Sequence, residues 1–344
     1  LIIMKILLVA NYKGNVGGIS GVVFNTWVHL NNDGFNAEIF NTKRSPAARL
    51  FLFLPLLKKV KKFDIIHIHG CSYLGFFPIL VGIIASKCFY KRKVVVSYHG
   101  GGAELFLRRY NNIIINILQK ADCVTVMSGF LQDIFKTYGL NTTILPNIFD
   151  VPENINIKVD FNTPRLVSVR SLSKLYNIID IIKAFEMLIG TYNNAELKII
   201  GSGKDIDYLK TFCNERNLNN VEFVGFVPNR EIGLALKGSN VFISVPSVDN
   251  QPLSILEAFA FGIPVIATDV GGIPYMIEDS FNGLLVKVNC PDQICEKVKW
   301  IMENPDKAGA LVDNAKKELT KYSWDSIKIK LLRIYKDKDV RNYE

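Results

Sequence analysis

The feature that most constrains this chain is a repeated alternation: short β-branched, apolar runs, each followed by a longer stretch with helical spacing. In the first half the runs are Lys5–Ala10, Ala37–Phe40, Ile65–His69, Val94–Tyr98, Cys123–Met127 and Thr143–Leu145. Stretches such as Val22–Asn31 and Leu105–Lys120 separate them. The second half repeats the plan with Arg165–Val169, Glu196–Ile200, Glu222–Phe226, Val241–Val245, Val265–Thr268 and Gly283–Val286. Its helices are expected at Ile178–Leu188, Ile206–Asn217, Glu231–Leu236 and Ser254–Phe261. Strands that are continuously apolar are buried on both faces, as in a parallel sheet covered by helices. The pattern predicts an α/β fold of two Rossmann-like, doubly wound domains. The polar segment Asp150–Pro164, with Pro152 and Pro164, reads as the linker. It separates an N-terminal domain over 1–150 from a C-terminal domain over 151–325. The spacing of Ile327, Leu331 and Ile334 predicts a last helix, and residues 326–344 are expected to return to the first domain. Such sheets bind ligands beyond the carboxyl ends of their strands, so the expected site is a cleft where the two domains face each other.

Composition narrows the class of partner. Of 344 residues, 49% are apolar and 21% charged, which fits a globular chain and excludes a disordered one. Forty-one Lys and Arg against 32 Asp and Glu leave a formal charge of +9, suited to an anionic partner. No basic stripe interleaved with aromatics and no recognition-helix motif is present, which argues against nucleic acid. The six cysteines form no CxxC pair and no metal-knuckle spacing, so a reduced, cytoplasmic setting is expected. The residues before Met4 carry no basic region or cleavage site, and Met4 reads as a candidate start. The longest apolar run, Leu74 to Ala85, is 12 residues long. A membrane span needs roughly 18 to 20. Residues 43–62, KRSPAARLFLFLPLLKKVKK, mix cations with apolar side chains as interfacial segments do. They are expected to meet an anionic membrane surface on its inner face. The alternative is an ordinary helix packed on the sheet with Lys58, Lys59, Lys61 and Lys62 in water.

Chemistry-bearing residues fall at strand ends. Gly17 and Gly18 lie between the first strand and first helix, where a backbone can approach a phosphate or an acceptor, or simply turn. His67 and His69 share a strand face without further metal ligands. His67 reads as a hydrogen-bonded core histidine, and His69 borders the expected cleft. His99 ends a Val-rich strand and precedes three glycines, which presents an imidazole beside exposed amides. Arg170 follows the strand Arg165–Val169, with Lys174 four residues on; cations there neutralise a diphosphate, Arg bidentately. The richest stretch is PSVDNQPLSILEA, residues 246–258, which passes from a strand end through a polar loop into a helix. Ser254 and Glu257 match a capping box, so Glu257 either caps that helix or faces a ligand. The later Thr268-Asp-Val-Gly-Gly272 and Asn282-Gly-Leu284 turns carry little functional signal.

These residues resemble the group 1 retaining glycosyltransferases of the GT-B fold, and the resemblance runs nearly end to end. Its most specific part is PSVDNQPLSILEAFAFGIPVI, residues 246–266, similar to that family's signature of two acidic residues with seven residues between them. Supporting stretches are the Gly17-Gly18 loop, DIIHIH at 64–69, His99-Gly100, Pro146-Asn147, LKIIGSG at 197–203 and Val224-Gly225-Phe226. The resemblance implies a metal-independent hexosyltransferase without a resident cofactor, with a UDP-sugar expected before a GDP-sugar. It implies that Glu257 binds the donor ribose, and that Asp249 with the backbone of Asn250, Gln251, Pro252 and Leu253 holds the transferred sugar. Arg170 and Lys174 would neutralise the diphosphate, Phe226 and Val227 would contact the base, and His99 would touch the sugar. Gly17 and Gly18 would complete the phosphate pocket or meet a saccharide or lipid-linked saccharide acceptor. Three positions depart from the pattern: Asp249 stands where Glu is usual, Tyr176 where Lys is common, and Ile148 follows Asn147 in place of Gly. A sugar-nucleotide epimerase on the same scaffold and a non-catalytic nucleotide-sugar-binding protein are the alternatives.

Overall fold

Every side chain of β1 (Lys5–Ala10) after Lys5 is buried, as are all six of β3 (Ile65–Gly70). That burial on both faces follows from the continuous apolar runs and requires a covered parallel sheet. The computed structural model describes residues 4–14, 18–45, 48, 50–152, 159–228 and 231–337. Its first sheet adds β2 (Asn36–Asn41), β4 (Lys93–Tyr98), β5 (Cys123–Val126) and β6 (Thr143–Ile144) in the order β2-β1-β3-β4-β5-β6. All of its pairs are parallel, for example Ile6 opposite Ile65 and His67 opposite Val95. The second sheet holds β7 (Arg165–Val169), β8 (Glu196–Ile200), β9 (Val221–Gly225), β10 (Val241–Ser244), β11 (Val265–Thr268) and β12 (Leu284–Val286). Its order is β12-β11-β10-β7-β8-β9, also parallel, with the winding reversed between β7 and β10. Residues 1–149 with 321–344 form one compact unit, and residues 150–320 form the other.

In the first unit, right-handed crossovers sort the helices by direction of winding. Phe53–Val60, Phe77–Ile83, Ala103–Leu118 and Gly129–Thr137 share one face, where Leu56, Ile79, Leu107 and Leu131 enter one core. The opposite face is covered by Ile19–Asn32 and by the C-terminal helix Trp324–Lys336, through Val23, Leu30, Leu331 and Ile334. That last helix is anchored at its start. Trp324 Nε1 donates to Asp33 Oδ2 at 2.8 Å, and Lys328 Nζ lies 2.7 Å from the same oxygen. The hydrogen bond from Lys328, followed by that from Trp324, lowers the Asp33 pKa against the opposing effect of burial. In the second unit Leu166, Val241, Ile243 and Ile266 join Ile181 and Phe185 of the helix Ile178–Ile189 in a single core. All six cysteines are free thiols. No helix among the described residues is long and apolar enough to cross a membrane.

Candidate functional site

In the second sheet the reversal of winding leaves a crevice beyond the carboxyl ends of β7 and β10, the usual ligand position in such folds. Arg170 follows β7 and Ser244 ends β10, which brings their side chains together. Arg170 Nε and Nη2 both donate to Ser244 Oγ at 3.0 Å. Nη2 also lies 2.8 Å from Asp249 Oδ2, in a pair whose side chains are 11% and 21% exposed. The guanidinium carbon sits 5.1 Å from the Tyr176 ring centroid, a cation–π arrangement. Tyr176, at a position where lysine is common in the resembling family, thus supports the arginine's plane. Among the described residues nothing pairs with Nη1, whose two N–H groups remain for a ligand.

Two glycine turns shape the backbone beneath these groups. A Cβ on Gly201, whose φ is +141°, would stand 1.8 Å from the Arg170 carbonyl oxygen, and one on Gly203 would stand 2.1 Å from that of Leu172. The loop after β8 therefore packs directly on the Arg170–Leu172 backbone, and Leu172 N donates to Ser202 O at 3.0 Å. On the other side, a Cβ on Gly271, at φ +57°, would lie 2.1 Å from the Asp249 carbonyl oxygen, to which Gly272 N donates at 2.9 Å. Asp249 Oδ1 accepts from Asn250 N at 2.7 Å, which orients Oδ2 toward Arg170. The turn at 268–272, which carried little signal in the sequence, thus backs the acidic loop.

The helix after that loop corrects one expectation. It runs Leu253–Ala260 with Pro252 at the N-cap and no side-chain cap, so the capping box expected of Ser254 and Glu257 does not form. Ser254 is the helix's second residue and its buried Oγ has no partner. Glu257, the fifth residue, forms no ion pair among the described residues. Burial pushes its carboxyl pKa up to about 7, against the opposing pull of the Arg170 charge. An acid that does not cap its helix and is partly desolvated near an arginine suits a ligand-facing role. Lys174 begins the 3-10 turn Lys174–Tyr176 and is exposed. That turn is tied to the acidic loop: Ser247 N donates to Leu175 O at 2.8 Å, and Asn177 Nδ2 donates to Val245 O and Ser247 Oγ at 3.0 Å. Asn250 and Gln251 are buried, Phe226 is 62% exposed just past β9, and Val227 beside it is half-buried.

In the first unit, Gly17 lies outside the described residues. Gly18, at φ 69° and ψ −146°, is the N-cap of Ile19–Asn32 and has open space around it. His67 sits in the core, its Nδ1 2.7 Å from Tyr335 Oη and its Nε2 2.7 Å from Ser97 Oγ. His69 Nδ1 lies 2.9 Å from His99 Nε2. Burial lowers the pKa of His67 to about 3 and that of His99 to about 4, so all of this cluster is uncharged at neutral pH. His69 is shifted the same way by burial. Sequence reasoning did not find Ser244, Asn177, Gly201 or Gly271 as site residues. Gly201 stood only within the LKIIGSG stretch of the resemblance, and Gly271 only within a turn.

Residues 153–318 match the family model described as glycosyl transferases group 1, and residues 16–152 match that of glycosyltransferase family 4. The chain is similar to the uncharacterized glycosyltransferase MJ1607 of Methanocaldococcus jannaschii, 30% identical over 67% of this chain and 62% of that protein. It is similar to the alpha-monoglucosyldiacylglycerol synthase of Acholeplasma laidlawii, 28% identical over 43% of this chain and 37% of that one. The aligned stretches thus span less than two thirds of the length of either relative. Among solved structures, Alr3699/HepE of Anabaena in complex with UDP-glucose has the same fold, with a TM-score of 0.77 and 19% identity. That match covers 96% of this chain and 98% of the other.

Proposed function

The chain belongs to the group 1 glycosyltransferases of the GT-B fold, and from that premise we propose that it moves a hexosyl unit from a UDP-sugar to an acceptor hydroxyl with retention of anomeric configuration. The observation that carries this reading is the constellation at the crevice of the second sheet: Arg170 held by Ser244, Asp249 and Tyr176, with the raised carboxyl of Glu257 nearby. Arg170 keeps Nη1 for a diphosphate oxygen, and Lys174 adds a second, exposed cation. The amides at the start of Leu253–Ala260 and the unpartnered Ser254 hydroxyl suit the same anion. Glu257 accepts from the ribose hydroxyls, Asp249 and the backbone of 250–253 hold the sugar, and Phe226 with Val227 meets the base.

In this mechanism the bond from the anomeric carbon to the diphosphate breaks as an oxocarbenium-like centre forms. The acceptor oxygen then bonds to that carbon on the face the diphosphate leaves, and its proton passes to the departing phosphate. No carboxylate serves as a covalent nucleophile, so stabilising the leaving diphosphate is the main electrostatic task. The Acholeplasma relative's name and the UDP-glucose bound to the Anabaena protein support a UDP-sugar donor and a lipid-linked or surface-polysaccharide acceptor. Incubation with UDP-sugars and a glycolipid acceptor, read by NMR of the new anomeric proton, should give the donor's anomer. An inverted product rejects the mechanism. Arg170→Ala should lower kcat/KM by roughly 10² to 10³-fold, as loss of a preorganised charge contact does, and near-normal turnover rejects the assignment.

A further inference from the structure

The net charge of this chain is concentrated. Residues 43–120 hold 14 Lys and Arg against two acids, Asp64 and Glu104, while the whole chain holds 41 against 32. The remainder is therefore slightly acidic. That segment supplies three neighbouring pieces of the helix layer on one face of the first sheet: Phe53–Val60, Phe77–Cys88 and Ala103–Leu118. The pieces touch. Phe53 and Phe89 meet edge to face at 5.8 Å, Arg92 Nη2 donates to Lys61 O at 2.6 Å, and Tyr73 packs on Phe106 at 5.0 Å.

The outward side of this layer is apolar as well as basic. Of the ten exposed large apolar side chains described in this unit, nine lie on the layer or the turns leading into it; the tenth, Ile329, is on the opposite face. Phe51 is 81% exposed, and Leu54 and Leu105 are each 67% exposed. Phe89 and Ile113 continue the patch. Between them stand Lys58, Lys61, Lys62, Lys91 and Arg108, all exposed and in no ion pair among the described residues. Lys59 and Lys87 are instead neutralised by Glu38 and Asp122.

We propose that this outer helix layer is a docking surface for an anionic lipid bilayer. Aliphatic side chains interleaved with free cations match the boundary between acyl chains and headgroups, with the cations at the level of the phosphates. A second copy of the chain would set like charges against each other. A nucleic acid would need stacking aromatics, whereas the most exposed large apolar side chains on the α-helices of this layer, Leu54, Leu105 and Ile113, are aliphatic. The surface is wider than residues 43–62, because Phe89, Leu105, Arg108 and Ile113 extend it across two further helices. Leu105 lies six residues past His99, at the carboxyl end of β4. Docking would set this helix layer, from Phe89 and Lys91 before β4 to Leu105 after it, against the headgroups. Its link to a lipid-linked acceptor rests on the proposed function, whereas the docking itself does not.

The full chain should float with vesicles of phosphatidylcholine and phosphatidylglycerol, and not with phosphatidylcholine alone. High salt should weaken the binding, since exposed charges are screened. Leu54→Glu with Leu105→Glu, and separately Lys58→Glu with Lys61→Glu, should each reduce binding about tenfold or more. Ile329→Glu should leave it unchanged. The UDP-induced thermal shift of each variant reports that its fold and donor site persist, which separates failure of docking from failure of the donor reading. The proposal is overturned by absence of flotation with anionic vesicles, or by equal flotation with neutral ones. It is also overturned if both double variants float like wild type, or if the patch instead drives a dimer that these substitutions break.

Discussion

Arg170 is held from three sides before any ligand arrives, by Ser244 Oγ, Asp249 Oδ2 and the Tyr176 ring. Its side-chain entropy is therefore largely spent in folding and not charged against binding. Glu257 is the opposite case. Burial raises its pKa to about 7, so the fold disfavours the charge that a ribose-binding carboxylate needs. Its contribution to stability is full below the unfolded carboxylate range and is lost as pH rises through about 7, by up to on the order of 3 kcal/mol. Glu257→Gln should therefore raise the melting temperature above neutral pH and leave it unchanged in mild acid. Hydroxyl donors favour the ionised form, so UDP should bind wild type more tightly as pH rises through about 7. The Gln variant should lose that dependence. Flat profiles for both stability and binding in wild type would remove Glu257 from this role. Gly271 is a third residue-scale test. Alanine there meets φ +57° and a carbonyl oxygen 2.1 Å away, so it should cost about 3 kcal/mol and weaken donor binding through Asp249. A loss under about 0.5 kcal/mol in denaturant titration, within the range of neutral surface changes, contradicts that account.

At the scale of elements, the strands were the most legible part of the sequence. Continuous apolar runs have few alternatives, and β1, β7, β8 and β11 begin and end where the runs do. The helix Trp324–Lys336 was equally plain, because Ile327, Leu331 and Ile334 mark the face that the first unit buries. Helix starts were less legible. Ser254 and Glu257 have capping-box spacing, yet Pro252 takes the N-cap, its fixed φ suiting an extended residue just before the helix. The shift moves Glu257 two positions further into the helix, from a cap to a desolvated acid. The glycine loop at 201–203 was visible only as part of the LKIIGSG stretch, and that at 270–272 only as a turn. What they do depends on the backbone of a different strand end, a contact that spacing along the chain cannot encode.

At the scale of the whole molecule, two tandem parallel sheets were foreseeable from the repeat of the strand and helix pattern. The order of their strands was not, because apolar runs do not say which neighbour each will pair with. That order matters most in the second unit, where the reversal between β7 and β10 makes Arg170 and Asp249 neighbours although 78 residues separate them. Charge is also organised at this scale, with the basic excess concentrated in residues 43–120, the segment that supplies the helices of one sheet face. The central claim is that the β7–β10 crevice binds the nucleotide of a UDP-sugar. Its most direct test is calorimetric titration of UDP into wild type, Arg170→Ala and Glu257→Ala, with Ile329→Glu as the remote control. We expect one site in wild type and in the control, with affinity lost by tenfold or more, about 1.4 kcal/mol, in the two crevice variants. Equal affinity in all four proteins would place the nucleotide elsewhere and contradict the account.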